Sequence, residues 1–173
     1  DQPYYGQQYG GPYAPPPPAD AAAIRQHAQR LVAEMAVPAD ERQALDRLPD
    51  YIATSDEALL SRMRPAVLAA SWGLSAEATL RAFLHAARAG VLELVWDVLC
   101  PSCRGTALRS PRLDGVLTHG HCAACTGVYE VEFDRLVEAT FRPARALRPC
   151  SDTVFCVPGP SAAPHVEAQV VLT

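Results

Sequence analysis

The sequence contains no lysine. All 15 of its basic residues are arginines, set against 19 acids in a chain of 173 residues with a formal charge of -4. That absence removes whole mechanisms: there can be no P-loop lysine, no Schiff-base lysine and no lysine-dependent purine pocket. Aromatic residues are also scarce, at 7%, so a core within the 49% hydrophobic content must be built largely from Ala, Leu and Val. No apolar run approaches the roughly 20 residues of a membrane span, and the first residues lack the charged start and apolar stretch of a secretory signal. These two absences point to a cytoplasmic protein without a membrane span. Because the chain opens at Asp1 rather than Met, it reads equally as one that has lost a leader or as an excised fragment. Mild net acidity argues against a general affinity for polyanions.

Residues 1–19 hold four of the six tyrosines and six of the sixteen prolines, with no aliphatic side chain larger than alanine. Such a stretch cannot bury a core and reads as a disordered tail. Its Pro15–Pro18 run could dock in an aromatic groove, although a solvated linker is the plainer reading.

Residues 20–98 read as a helical, winged-helix-like domain. Asp20 is placed to cap a first helix, with Ile24, Leu31, Val32 and Met35 on one stripe and Pro38 as its end. A second helix is expected over 40–48, broken by Pro49, and a third after Asp56. Pro65 suits the first turn of another helix that leads to Trp72 and Gly73. Ser75 then caps a helix over 76–89, whose expected buried face is Leu80, Phe83, Leu84 and Ala87. Gly90 closes it, and 91–98 follows as a strand. Two helices joined by a tight turn and followed by a strand match the order of a winged helix-turn-helix, with a small helical bundle as the alternative.

From residue 99 the character changes, with strand-like runs at 128–133, 136–142, 153–157 and 165–172. The expected fold is therefore α+β: the helical part, a zinc ribbon over 99–127, and a small antiparallel β segment over 128–173 that reads as truncated at its end.

Four of the six cysteines form Cys100-Pro-Ser-Cys103 and Cys122-Ala-Ala-Cys125, two C-x-x-C pairs separated by 18 residues. Each pair can present two thiolates about one turn apart, and an intervening β-hairpin would return the chain to close a tetrahedral four-cysteine site for one structural Zn²⁺. Gly105 and Gly127, two residues past each second cysteine, are expected to free the backbone there. Arg104, His119 and His121 are candidates to donate hydrogen bonds to the sulfurs. Redox disulfides, or a histidine in place of one cysteine, are the alternatives.

Cys150 and Cys156 read as buried free thiols; a Cys156/His165 nucleophile lacks a local orienting group. Arg142, Arg148 and His165 are candidates for a ligand or partner site. If the 76–89 helix read DNA, Glu77, Arg81, His85 and Arg88 would face it. However, residues 20–98 hold 11 acids and 8 arginines, a sign that disfavours counterion-driven binding.

A co-linear set of pieces carries a family resemblance. It runs from Pro65-Ala-Val-Leu-Ala-Ala-Ser-Trp-Gly73 through Ala89-Gly-Val-Leu92, Trp96-Asp-Val-Leu-Cys-Pro-Ser-Cys103 and His121-Cys-Ala-Ala-Cys125. It continues with Val137-Glu-Ala-Thr-Phe-Arg-Pro143, Arg148, Phe155-Cys156, Gly159-Pro160, Pro164-His-Val166 and Gln169. Together these resemble the uncharacterised domain that precedes the catalytic domain in certain bacterial class III adenylate/guanylate cyclases. The resemblance implies a winged-helix-like start, a zinc ribbon and β structure that runs on past Thr173 to a cyclase domain. This chain lacks the lysine typical of the adenine-selective members and has no room for the catalytic domain, so it is expected not to be the enzyme. The expected function is a non-catalytic zinc-binding regulatory or protein-docking module associated with such a cyclase. A DNA-binding transcriptional regulator and a Cys/His thiol enzyme are the alternatives, and the oligomeric state is left open.

Overall fold

The computed structural model describes residues 20–150 apart from Ala124. The tail at 1–19, the strand-like runs at 153–157 and 165–172, Cys156 and His165 lie outside the described residues. The described chain is mixed α+β: five helices in the N-terminal part, then small antiparallel sheets that carry the four cysteines.

Helix α1 (Ala21–Ala33) buries Ile24, Ala28 and Val32, one residue per turn, with Leu31 and Met35 half-buried beside them. Asp20 takes the N-cap position, but its side chain makes no cap bond. Where the helix ends ahead of Pro38, the Arg42 guanidinium donates to the Val32 carbonyl at 3.0 Å and to the Met35 carbonyl just past the end.

Helix α2 (Ala39–Thr54) runs straight through Pro49, where the sequence predicts a break. Proline removes one ladder hydrogen bond and crowds the carbonyl four residues back, a cost of about 3 kcal/mol in a helix interior. Here the ring is buried, and continuing the helix buries Ile52 and Ala53 completely. Burial of several apolar side chains outweighs a single broken bond.

After the single turn α3 (Glu57–Leu60), helix α4 (Pro65–Trp72) begins on its proline and ends at Gly73, whose φ of 67° is left-handed. The Leu74 N–H returns to the Ala69 carbonyl at 2.9 Å, closing the helix as such caps do. Ser75 then caps α5 (Ala76–Arg88), its Oγ accepting from the Ala78 N–H at 3.3 Å.

The buried face of α5 is rotated from the expected one. Ala78, Thr79, Ala82, Phe83 and Ala86 are inside, whereas Leu80 and Leu84 are 38% and 44% exposed and Ala87 is half-buried. The small residues let α2 and α4 approach closely, and Phe83 alone fills the deeper space. Its ring meets Trp72 at 6.2 Å and Phe141 edge-on at 5.4 Å, while Trp72 meets Tyr51 at 5.7 Å.

The strands are β1 (Leu92–Leu99), β2 (Thr106–Ser110), β3 (His119–Cys122), β4 (Gly127–Glu130) and β5 (Val137–Pro143), with a single-turn α6 (Phe133–Leu136) before the last. One sheet has the order β2-β1-β5 and the other pairs β3 with β4. By contacts within the folded chain, Val95–Ala139 forms one compact unit, and the described residues up to Leu94 and from Thr140 form another. The unit Val95–Ala139 has its own small core of Val98, Val116, Val131 and Leu136. The helical unit takes the chain back at Thr140: Phe141 exchanges backbone hydrogen bonds with Met63 at 2.7 and 2.9 Å, and its ring is fully buried.

Candidate metal centre

Each C-x-x-C pair forms the tip of a hairpin, so the geometry differs from a single hairpin strung between the two pairs. Strand β1 leads into Cys100-Pro-Ser-Cys103 and β2 leaves it, paired antiparallel from Trp96↔Ser110 to Leu99↔Thr106. Strand β3 leads into Cys122-Ala-Ala-Cys125 and β4 leaves it, paired from His119↔Glu130 to Cys122↔Gly127. The 18 residues between the pairs are therefore shared between two hairpins, with a 3₁₀ turn at Leu113–Gly115 on the way.

The two tips share a left-handed exit. At the first, the Cys100 N–H donates to the Gly105 carbonyl and the Arg104 N–H to the Cys100 carbonyl, both at 2.9 Å. The residue after each second cysteine turns left-handed: Arg104 has φ 60° and Thr126 has φ 53°. The conformational demand thus falls one residue before Gly105 and Gly127, the positions expected to carry it, and neither glycine has a positive φ. Non-glycine residues seldom adopt this region, so its occurrence at both tips marks a conformation imposed by the turn.

All four sulfurs lie within 4.8 Å of one another, and the contact from Cys103 to Cys122 is 3.8 Å. With a Zn–S bond of about 2.3 Å, the edge of a tetrahedral four-thiolate site is about 3.8 Å, so the spacing suits such an ion. A disulfide would need about 2.05 Å, and none of the five described cysteines is in one. Cys100 and Cys122, the first of each pair, are buried, whereas Cys103 and Cys125 are half-exposed.

The thiols respond unequally to this crowding. Burial opposes ionisation of Cys100, but the backbone N–H groups of Cys103 and Ser102 and the thiols of Cys122 and Cys103 outweigh it and bring its pKa down to about 7. Cys125 is pushed up to about 12, first by its hydrogen bond with Cys103, then by burial and by Cys100 and Cys122. Clustered thiols resist sharing negative charge, and a dication at their centre reverses that.

The expected sulfur partners Arg104, His119 and His121 are all exposed. Strand β3 alternates, with Gly120 and Cys122 turned inward and the histidines outward, and His119 Nδ1 is 3.1 Å from the Thr118 hydroxyl. Backbone donors reach Cys100 instead.

Sequence reasoning missed Tyr129 beside the cluster and Asp97 in the strand that leads to it. Tyr129 lies across from Gly120, and a Cβ at Gly120 would sit 2.5 Å from its ring. Its phenol is pushed above the usual range, first by burial and then by the charges of Cys100, Cys122 and Cys103. Asp97 is fully buried and meets Arg109, its partner in the β1–β2 register, through contacts of 2.8 and 3.4 Å. A Gly–Tyr cross-strand pair and an Asp–Arg pair 12 residues apart are visible in the sequence only once the register is known.

In the helical unit, Arg142 binds Glu93 at 2.8 Å, and the buried Arg148 donates to the Ile52 carbonyl near the end of α2. Both face partners within the protein. Cys150 is half-buried and pushed up to about 11, mainly by burial and then by the charge of Glu57. On α5, Arg81 is paired with Glu77 at 2.5 Å, and His85 approaches the buried Glu41 at 3.3 Å.

The structure thus defines a mixed α+β protein with a four-cysteine cluster able to hold a metal ion. A family model, described as a family of unknown function (DUF5939), matches residues 25–151, and the chain belongs to that family. Comparisons with curated proteins and with solved structures found no match. Among the described residues, no helix is long and apolar enough to cross a membrane.

Proposed function

We propose that the chain is a non-catalytic module in which one structural Zn²⁺, bound by Cys100, Cys103, Cys122 and Cys125, ties two hairpins together. The observation that carries this reading is the meeting of four cysteine sulfurs within 4.8 Å at two hairpin tips. Four thiolates would leave zinc no open position, so the ion would organise the fold rather than activate water. Purified protein is expected to contain about one zinc per chain, and Cys122→Ser to lose it together with near-UV dichroism. Protein that folds normally without metal would sink the proposal. Because binding must displace thiol protons, affinity should fall as the pH is lowered.

The module's role is regulatory or docking, in cis or in trans with a class III nucleotide cyclase. Its support is the resemblance of residues 55–173 to the domain preceding such catalytic domains. A protein surface suits α5 better than DNA does: Leu80 and Leu84 are exposed beside Arg81, which is already paired with Glu77. If duplex DNA bound with a steep salt dependence that Arg88→Ala reduced, the docking role would give way to the DNA-binding alternative.

A further inference from the structure

The four sulfurs differ in access. Cys100 and Cys122 are 2% and 3% exposed, whereas Cys103 and Cys125 open to solvent. The two open cysteines come from different hairpins, and their sulfurs lie within 4.8 Å of each other. Each directly precedes the left-handed residue through which its turn leaves the knuckle, at Arg104 and Thr126. An oxidant arriving from water therefore meets Cys103 and Cys125 first, and each finds the other as its nearest accessible thiol.

We propose that Cys103 and Cys125 form a peroxide-sensitive pair whose oxidation releases the metal. This rests on the zinc reading above. Hydrogen peroxide accepts an electron pair from one of the two thiolates, forming a sulfenic acid and releasing hydroxide. The second thiolate attacks that sulfur, forms the disulfide and expels a second hydroxide. Two thiolates are oxidised by two electrons, one peroxide is reduced, and Zn²⁺ leaves with Cys100 and Cys122 still reduced. With all four sulfurs bound to zinc as thiolates, exposure decides which is oxidised first, so the buried pair should lag.

The test uses the full chain carrying Cys150→Ser and Cys156→Ser, so that only the four cluster cysteines remain. Its zinc content is measured first, and a metal-free protein overturns the zinc reading and this inference with it. Zinc-loaded protein is then titrated with hydrogen peroxide while a chromogenic chelator reports free metal and non-reducing peptide mapping locates disulfides. The expected result is one zinc released per disulfide, with Cys103–Cys125 the dominant linkage and reversal by dithiothreitol plus zinc. Retention of zinc at a tenfold excess of peroxide would overturn the inference while leaving the zinc reading intact. So would release accompanied mainly by Cys100–Cys103 and Cys122–Cys125 linkages.

Discussion

Gly73 and Gly120 are needed for opposite reasons. Gly73 has φ 67° with nothing within 4 Å of where a Cβ would sit, so a substitution there costs only backbone strain. Gly73→Ala should destabilise the helical unit by about 1–2 kcal/mol. Gly120 has no positive φ, but a Cβ would meet the Tyr129 ring at 2.5 Å, so the cost is steric. Gly120→Ala should cost about 1–3 kcal/mol as the ring is displaced. In the Tyr129→Ala background most of the Gly120→Ala penalty should vanish, whereas Gly73→Ala should cost the same in either background; denaturant titrations of the double mutants would show it. At this scale the sequence is legible where chemistry is local. Gly73, Ser75 and the four cysteines announce themselves by residue type and spacing, while Tyr129 and the Asp97–Arg109 pair depend on strand register.

Helix α5 shows where periodicity alone misleads. Its larger apolar residues, Leu80, Phe83 and Leu84, suggest one stripe, yet the packed stripe consists of alanines and Thr79 around Phe83. The reason is depth: close helix packing selects small side chains, which a ranking by hydrophobicity underweights. Phe83→Ala should therefore cost about 3–5 kcal/mol, while Leu84→Gln should stay within about 1 kcal/mol. Equal losses in thermal unfolding would mean that Leu84 is packed after all. Helix α2 teaches the converse about breakers. Pro49 ends a helix by local rules, but Ile52 and Ala53 beyond it are fully buried, and tertiary burial keeps the helix going. The boundaries of β1, β4 and β5 are legible to within a few residues; β2, β3 and the hairpin partners are not, because pairing is decided between segments rather than within them.

For the whole molecule, the two units stand on different footings. Among the described residues, the core of the helical unit has 18 buried members, including Phe83, Phe141 and Leu45, whereas that of Val95–Ala139 has four. A structural zinc can supply about 10–16 kcal/mol of folding free energy, so a unit with so small a described core is expected to lean on one. Removing metal with a chelator should accelerate amide exchange through 95–139 while α1, α2, α4 and α5 keep their protection. Uniform loss across the chain in hydrogen-exchange mass spectrometry would show that the helical unit also relies on the ion. The division itself is only half legible. The change of character near residue 98 is plain in composition, but the return of Thr140–Pro143 to the helical unit rests on Met63 meeting Phe141, a contact between residues far apart in sequence.

The repeated hairpin tips also bear on the order of assembly. Each tip is closed by neighbours, Cys100 with Gly105 and Cys122 with Gly127, so each pair of thiols can be brought together by a local turn on the microsecond timescale of hairpin formation. What remains is the slower meeting of two halves distant along the chain. A metal ion captured by one two-thiol claw would need only one further encounter, between two preformed pieces, to complete the site.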